Sequence, residues 1–281
     1  MKYFYFFVSF FIFHFSFAQD DLLSEIDSTA TVSQPVTSAF KAMKIVNLES
    51  TKIASKGDLY LVVAHRFASI KNGIDDFFGL DNAVTQIKFI YGVASGLSFS
   101  VGRSEQAYDV SGKYLLLNQM EKGFPFTIVG FNSLAFNNVL KESNFPKMKF
   151  EDRIVYTNQL LISRKFSDKF SFQLAPTVFH ENFTTDVNQE NSQFAIGLGG
   201  RYKLTKRLSL NMDYAAHANR SATSIYKNPL SVGLDIETGG HVFQLHFTNS
   251  QGIHEAGFLG NSTGDWGKGE IFFGFNLVRV F

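Results

Sequence analysis

The sequence predicts an all-β protein: an up-and-down antiparallel transmembrane barrel of about twelve strands, with ten or fourteen as the error range. Three observations predict it. The chain opens with a secretory leader, its body is a series of short segments alternating between apolar and polar residues, and the connections between them alternate between short turns and long polar loops. Together these are the marks of an outer-membrane barrel, whose strands show one face to lipid and the other to the lumen.

Met1-Lys2 gives a positive start, Tyr3 to Phe17 is almost unbroken apolar sequence, and Ser16-Phe17-Ala18 places small residues at the minus-three and minus-one positions. This is the layout of a cleavable signal peptide over 1–18. It is short of the roughly 20 apolar residues that span a bilayer, and Asp20-Asp21 follows where a stop-transfer flank would be positive. The absence of Cys excludes a lipoprotein anchor, disulfides, Cys–zinc sites and a Cys nucleophile. Cleavage removes one Lys from totals of 26 basic and 25 acidic residues, leaving a neutral mature chain with no electrostatic case for nucleic acid. The 33 Phe are far more than a soluble chain of this size needs, whereas a barrel turns such residues outward to lipid.

Residues 19–48 are polar and weakly patterned and are expected to form a periplasmic extension packed near the barrel mouth, with the barrel itself over 49–281. Clear period-two alternation marks segments at 97–102, 153–163, 194–204, 208–215, 230–237 and 243–248. Less regular strands fit 58–67, 84–91, 108–118, 126–136 and 170–180, and 271–281 closes the chain. Short links after strands two, four, six, eight and ten alternate with long ones, save the short 104–107 link. Both termini therefore lie on the periplasmic side. Alternation by itself also suits a soluble sandwich, because the sequence does not say which face points inward.

On the last strand Phe273, Phe275, Leu277 and Phe281 share one face. A terminal aromatic on such a strand resembles the signal read by the barrel-assembly machinery, the partner expected during biogenesis. Arg279 departs from that pattern on the outward face. Near an interface it can snorkel to headgroups, where a charge costs only about 0–1 kcal/mol.

The stretches His65-Arg66-Phe67, Phe77 to Ala83, QLLISRKFS at 159–167, GLGGRYKLTKR at 197–207, DIETGGHVFQLHFTNS at 235–250 and FGFNLVRVF at 273–281 resemble an uncharacterised family of outer-membrane β-barrels of Bacteroidetes-type bacteria, a domain of unknown function. The resemblance runs over roughly 47–281 and is most distinctive at 235–250. It implies the fold and the bacterial outer membrane as location, and it implies no activity or catalytic residue.

No motif makes the chain an enzyme. A barrel-wall hydrolase needs a nucleophile and a base on adjacent strands at one height. Of His65, His180, His217, His241, His246 and His254, the best-placed base is His246, which shares a face with Gln244 and Thr248. There is no G-x-S-x-G elbow, and a satisfied lumen histidine is the simpler reading. His241 and His246 are five apart on a strand and so point to opposite faces. The 186–190 loop lacks the Gly and final Glu of an EF-hand, and GDWGKG at 264–269 lacks the spacing of a phosphate loop and suits a flexible lid rim. No metal or cofactor is expected.

If the apolar faces meet lipid, Lys88, Lys113, Arg153, Arg201, Lys203, Asp213, Asp235, Glu237 and His246 line the lumen. Parity leaves Arg66 and Arg103 undecided. Mixed charges inside suit either a small aqueous passage or side chains paired across a filled bore. The expectation is a passive channel or small-solute pore. The alternatives are a non-conducting structural or partner-docking barrel and a lipid-directed hydrolase. The oligomeric state is left open.

Overall fold

A computed structural model describes residues 33–281 apart from Glu142; the expected leader and the first part of the expected extension lie outside the described residues. Twelve antiparallel strands close into one barrel in simple chain order, with β1 pairing both β2 and β12. They are β1 (Leu59–Ser69), β2 (Ala83–Ala94), β3 (Leu97–Ser104), β4 (Ala107–Leu117), β5 (Thr127–Asn137), β6 (Ile154–Lys165), β7 (Phe170–Glu181), β8 (Ser192–Lys203), β9 (Leu208–His217), β10 (Leu230–Thr238), β11 (His241–Thr248) and β12 (Phe272–Val280). Each lies within a few residues of its expected position. The connections after β2, β4, β6, β8 and β10 are the short ones and mark one end of the barrel. The β11–β12 loop carries the short helix α1 (Glu255–Leu259).

The strands bury alternate residues, and the buried set is mainly polar, with apolar exceptions such as Val129, Phe131 and Leu161. On β2, Gln86 and Lys88 are buried while Ile87, Phe89 and Tyr91 are exposed. On β7, Ser171, Gln173 and Thr177 are buried while Phe172, Leu174 and Val178 are exposed. On β11, Gln244, His246 and Thr248 are buried while Phe243, Leu245 and Phe247 are exposed. Polar inside and apolar outside is the inverse of a water-soluble sandwich and resolves the facing question that alternation left open. A closed ladder also leaves no unpaired edge, which a bilayer demands of any sheet that crosses it.

The seam is covered on its outer face by aromatic contacts. Phe67 stacks on Phe273 at 5.7 Å between centroids, and His65 on Phe275 at 5.1 Å. Phe273, Phe275 and Leu277 are all half-buried on that face, beside the exposed Phe281. Arg279 is also outward, its guanidinium 4.5 Å from the Phe281 ring, so its charge lies at the strand end as the snorkelling argument requires.

The extension does not stop at the mouth. Residues 34–36 add a short ladder to the β4–β5 connection: Val36 N–H donates to Gln119, Glu121 N–H to Gln34, and Pro35 bridges Met120. The chain then enters the barrel from the short-turn end, turns back, and leaves by the same end to begin β1. Residues 42–51 are buried without exception. The expected boundary at 48/49 thus falls at the tip of a hairpin inside the lumen.

A closed barrel of this kind resists detergent until it is heated. Unheated and boiled samples should run as two bands of different mobility in detergent gels, and a single band under both conditions would contradict the fold.

Candidate functional site: the occupied lumen

The hairpin spans 39–54. Its ladder is Ile45 N–H to Leu48 O at 2.8 Å and Ser50 N–H to Met43 O at 2.9 Å, with Lys44 and Glu49 bridged across it. Two strands of a few residues are marginal in water alone, so the wall must hold them. At the tip, Asp213 of β9 accepts the N–H groups of Val46, Asn47 and Leu48 through one oxygen, at 3.0, 2.7 and 2.8 Å. Consecutive amides converging on one anion form a nest, here built on the plug and filled by the wall. Asn47 donates to Ser231 and Thr248, and its oxygen accepts from Arg66 Nη2 at 2.9 Å.

Lower in the bore an ion-pair chain crosses from wall to hairpin to loop. Glu49 takes Lys113 of β4 on one oxygen at 2.8 Å and Lys44 on the other at 2.9 Å. Lys44 also reaches Glu255 of α1 at 3.2 Å. Lys88 pairs with Asp109 at 2.7 Å, whose second oxygen accepts from Gln86. All six charged groups are almost fully buried.

Shape follows the same logic. Space for the hairpin comes from small inward residues: a Cβ on Gly197 would lie 2.9 Å from the Leu48 side chain, and one on Gly199 would strike Ile45. From the long-loop end, α1 packs Phe258 and Leu259 against Leu48 and Phe179. Arg220 holds the carbonyls of Leu259 and Gly260, both at 3.0 Å. Hairpin and α1 therefore meet inside the bore. Between the hairpin and β2–β4 a cavity of about 10 Å³, lined by Glu49, Lys88, Ser98, Ser100, Ser111 and Lys113, has room for roughly one water. At the rim Lys71 binds Glu270 at 2.7 Å, and that hydrogen bond holds the exposed carboxyl below its ordinary range.

The structure places Lys88, Lys113, Arg201, Asp213, Asp235 and His246 on the inner wall, buried. Glu237 and Lys203 share that face near the short-turn end and are half-buried; Glu237 pairs with Arg201. Arg153 is a correction. It closes a 3-10 turn before β6, and its guanidinium lies 4.2 Å over the ring of Phe136, whose neighbours Ala135 and Asn137 flank it on β5. Strand parity pointed it inward, but the residue is not in the strand. Arg66 is inward and fully buried, and Arg103 is outward over Tyr108. The GDWGKG stretch is held at the rim, Trp266 Nε1 donating to Leu230 O at 3.1 Å.

His246 faces a glycine on each neighbouring strand, Gly233 on β10 and Gly274 on β12. Among the described residues neither ring nitrogen has a hydrogen-bond partner. No serine hydroxyl is paired with it, so the arrangement a hydrolase needs is not assembled there. Sequence reasoning missed Lys44, Asn47, Glu49 and Glu255 entirely. One available signal was the apolar density of AFKAMKIVNL at 39–48, which is high for a solvated extension.

Residues 40–281 match a family described as a membrane-bound beta barrel domain, DUF5777. The chain belongs to that family. The match begins at Phe40, so all of the hairpin but Ala39 falls within the family's extent. No curated protein matches the chain in sequence. Among solved structures, a KdgM porin in complex with disordered oligogalacturonate is 11% identical, with a TM-score of 0.50 over 79% of this chain and 99% of that one. The NanC porin is 10% identical, with a TM-score of 0.49 over 79% and 98%. At 11% identity the likeness to the KdgM porin is one of fold alone.

Lys44→Met should lower stability by about 3–5 kcal/mol, because it leaves Glu255 buried without its cation. The double variant Lys44→Met/Glu255→Gln should lose clearly less than the sum of the two single variants in urea unfolding. Strict additivity would show that the pair is not coupled.

Proposed function

We propose that this protein is a passive bacterial outer-membrane channel for small solutes, and that the hairpin at 39–54 holds it closed. The observation that carries the reading is the source of the filling. Small barrels are filled by side chains of their own walls. This wall instead presents Gly197, Gly199, Ala175, Ala195, Ser209 and Ser231 to the bore, and the volume they leave is taken by the tethered hairpin, met from the long-loop end by α1. A segment that enters and leaves by one end can be withdrawn without breaking a strand pairing. Withdrawal would expose a bore lined by Lys88, Lys113, Arg66, Asp109, Asp213 and Asp235, the mixed polar lining of an aqueous passage.

With the hairpin in place, the short-turn end faces the periplasm, as the barrel topology expects. The porin-fold neighbours are compatible with this reading, which requires no catalytic group. A barrel that never opens and serves only as a structural or docking body is the competing outcome, and conductance separates the two.

In the full-length variant Ile45→Asp/Leu48→Asp, a buried carboxylate replaces each apolar side chain that packs against a glycine of the wall, so the hairpin should leave the bore. Purified and reconstituted in planar bilayers, the variant should give discrete conductance steps more often, or of larger size, than the unaltered protein. Silent bilayers from heat-modifiable, correctly folded variant would favour the non-conducting barrel.

A further inference from the structure

The bonds that hold the hairpin are directed mostly at its main chain. Gln173 of β7 binds the chain in both senses: its oxygen accepts from Thr51 N–H at 3.0 Å and its amide donates to Glu49 O at 2.7 Å. This is one rung of a β-ladder supplied by a side chain. Gln244 of β11 donates to the carbonyls of Lys44 and Ile45, at 3.2 and 3.0 Å, and Asn276 of β12 donates to Val46 O at 3.1 Å. Lys113 donates to the carbonyls of Met43, Ser50 and Lys52, at 2.9, 2.8 and 3.3 Å. Asp213 collects the three tip amides already described. Five wall residues from five strands thus read peptide groups, both N–H and C=O, and of the five Lys113 also takes a side chain, that of Glu49.

From this we infer that the lumen is a peptide-binding site, that the solutes it admits are oligopeptides, and that the hairpin is a tethered occupant of their site. The inference rests on the channel reading for transport, but the binding site stands or falls separately. A main chain offers rigid N–H donors and C=O acceptors alternating along an extended strand. Amide side chains can answer both kinds, a carboxylate answers converging N–H groups, and an ammonium answers several carbonyls. Recognition of that kind gives affinity with little regard for sequence, as in strand-addition binding of peptides. Where the wall does bond to hairpin side chains, at Asn47, Glu49 and Thr51, the contacts favour the tethered segment over a passing one. That bias suits a plug which must yield only when displaced.

The test uses the full-length Ile45→Asp/Leu48→Asp variant, whose hairpin is excluded from its socket. Gly197→Leu serves as a second route to the same state, from the wall side, should the first fail to fold. Three fluorescent probes are offered in detergent: a peptide of the sequence at 41–52, a shuffled peptide of the same composition, and a neutral glucose oligomer of similar mass. Fluorescence anisotropy should show both peptides binding, the natural sequence more tightly, and the glucose oligomer not binding. Gln173→Leu or Asp213→Leu in the same background should weaken both peptides by about tenfold or more, since each removes bonds worth about 1.4 kcal/mol or more in a buried site.

In bilayers the same peptides should interrupt the open current. Peptide binding with silent bilayers would retain the site and discard the channel. Binding of the natural peptide alone would overturn the inference, reducing the lumen to a private socket for the hairpin. Binding of the glucose oligomer in preference to both peptides would overturn it in favour of a saccharide channel.

Discussion

The interior of this barrel depends on Glu49. A wall that faces lipid with every second residue must face inward with the others, and here those include cations that water no longer solvates. Lys113 is one of them. A lone ammonium in such a place costs several kcal/mol, and its nearest anion is not on the wall at all. It is on the hairpin, where Glu49 also takes Lys44, which in turn takes Glu255 of α1. One carboxylate therefore joins the wall, the segment inside it and the loop that descends from the far end.

Buried ion pairs are weak evidence for net stability, but breaking one is costly, because a misplaced partner leaves a charge stranded. The chain Lys113–Glu49–Lys44–Glu255 fixes the register of the hairpin as the apolar contacts of Ile45 and Leu48 alone would not. It also ties the hairpin to α1, because Lys44 is shared between Glu49 and Glu255. The Asp213 nest adds a second hold near the tip, directed at main-chain amides rather than at any particular side chain.

The barrel wall was legible in the sequence because each strand has two unlike environments, and period-two alternation records them directly. Leu208 to Tyr214 and Phe243 to Phe247 could be placed by counting. What alternation did not record was direction: the same pattern suits a soluble sandwich, and only the burial of Gln86, Gln173 and Gln244 shows polar residues inside. Arg153 was misplaced because parity extends only as far as the strand, and a 3-10 turn precedes Ile154. The hairpin was illegible for a deeper reason. Its peptide groups are satisfied by wall side chains far away in sequence, so its residues answer to a socket and carry no periodicity of their own. Glu255 was hidden likewise in what reads as a long outer loop.

The central claim is that the segment at 39–54 occupies the lumen of the folded barrel. The chain has no cysteine, so a single one reports without interference. Ser50 is fully buried, and its exchange for Cys changes little in volume. With Ser50→Cys in the folded protein, a bulky charged maleimide should react very slowly, and rapidly once Ile45→Asp/Leu48→Asp is added. Rapid labelling of Ser50→Cys alone, in barrels that remain heat-modifiable, would contradict the account.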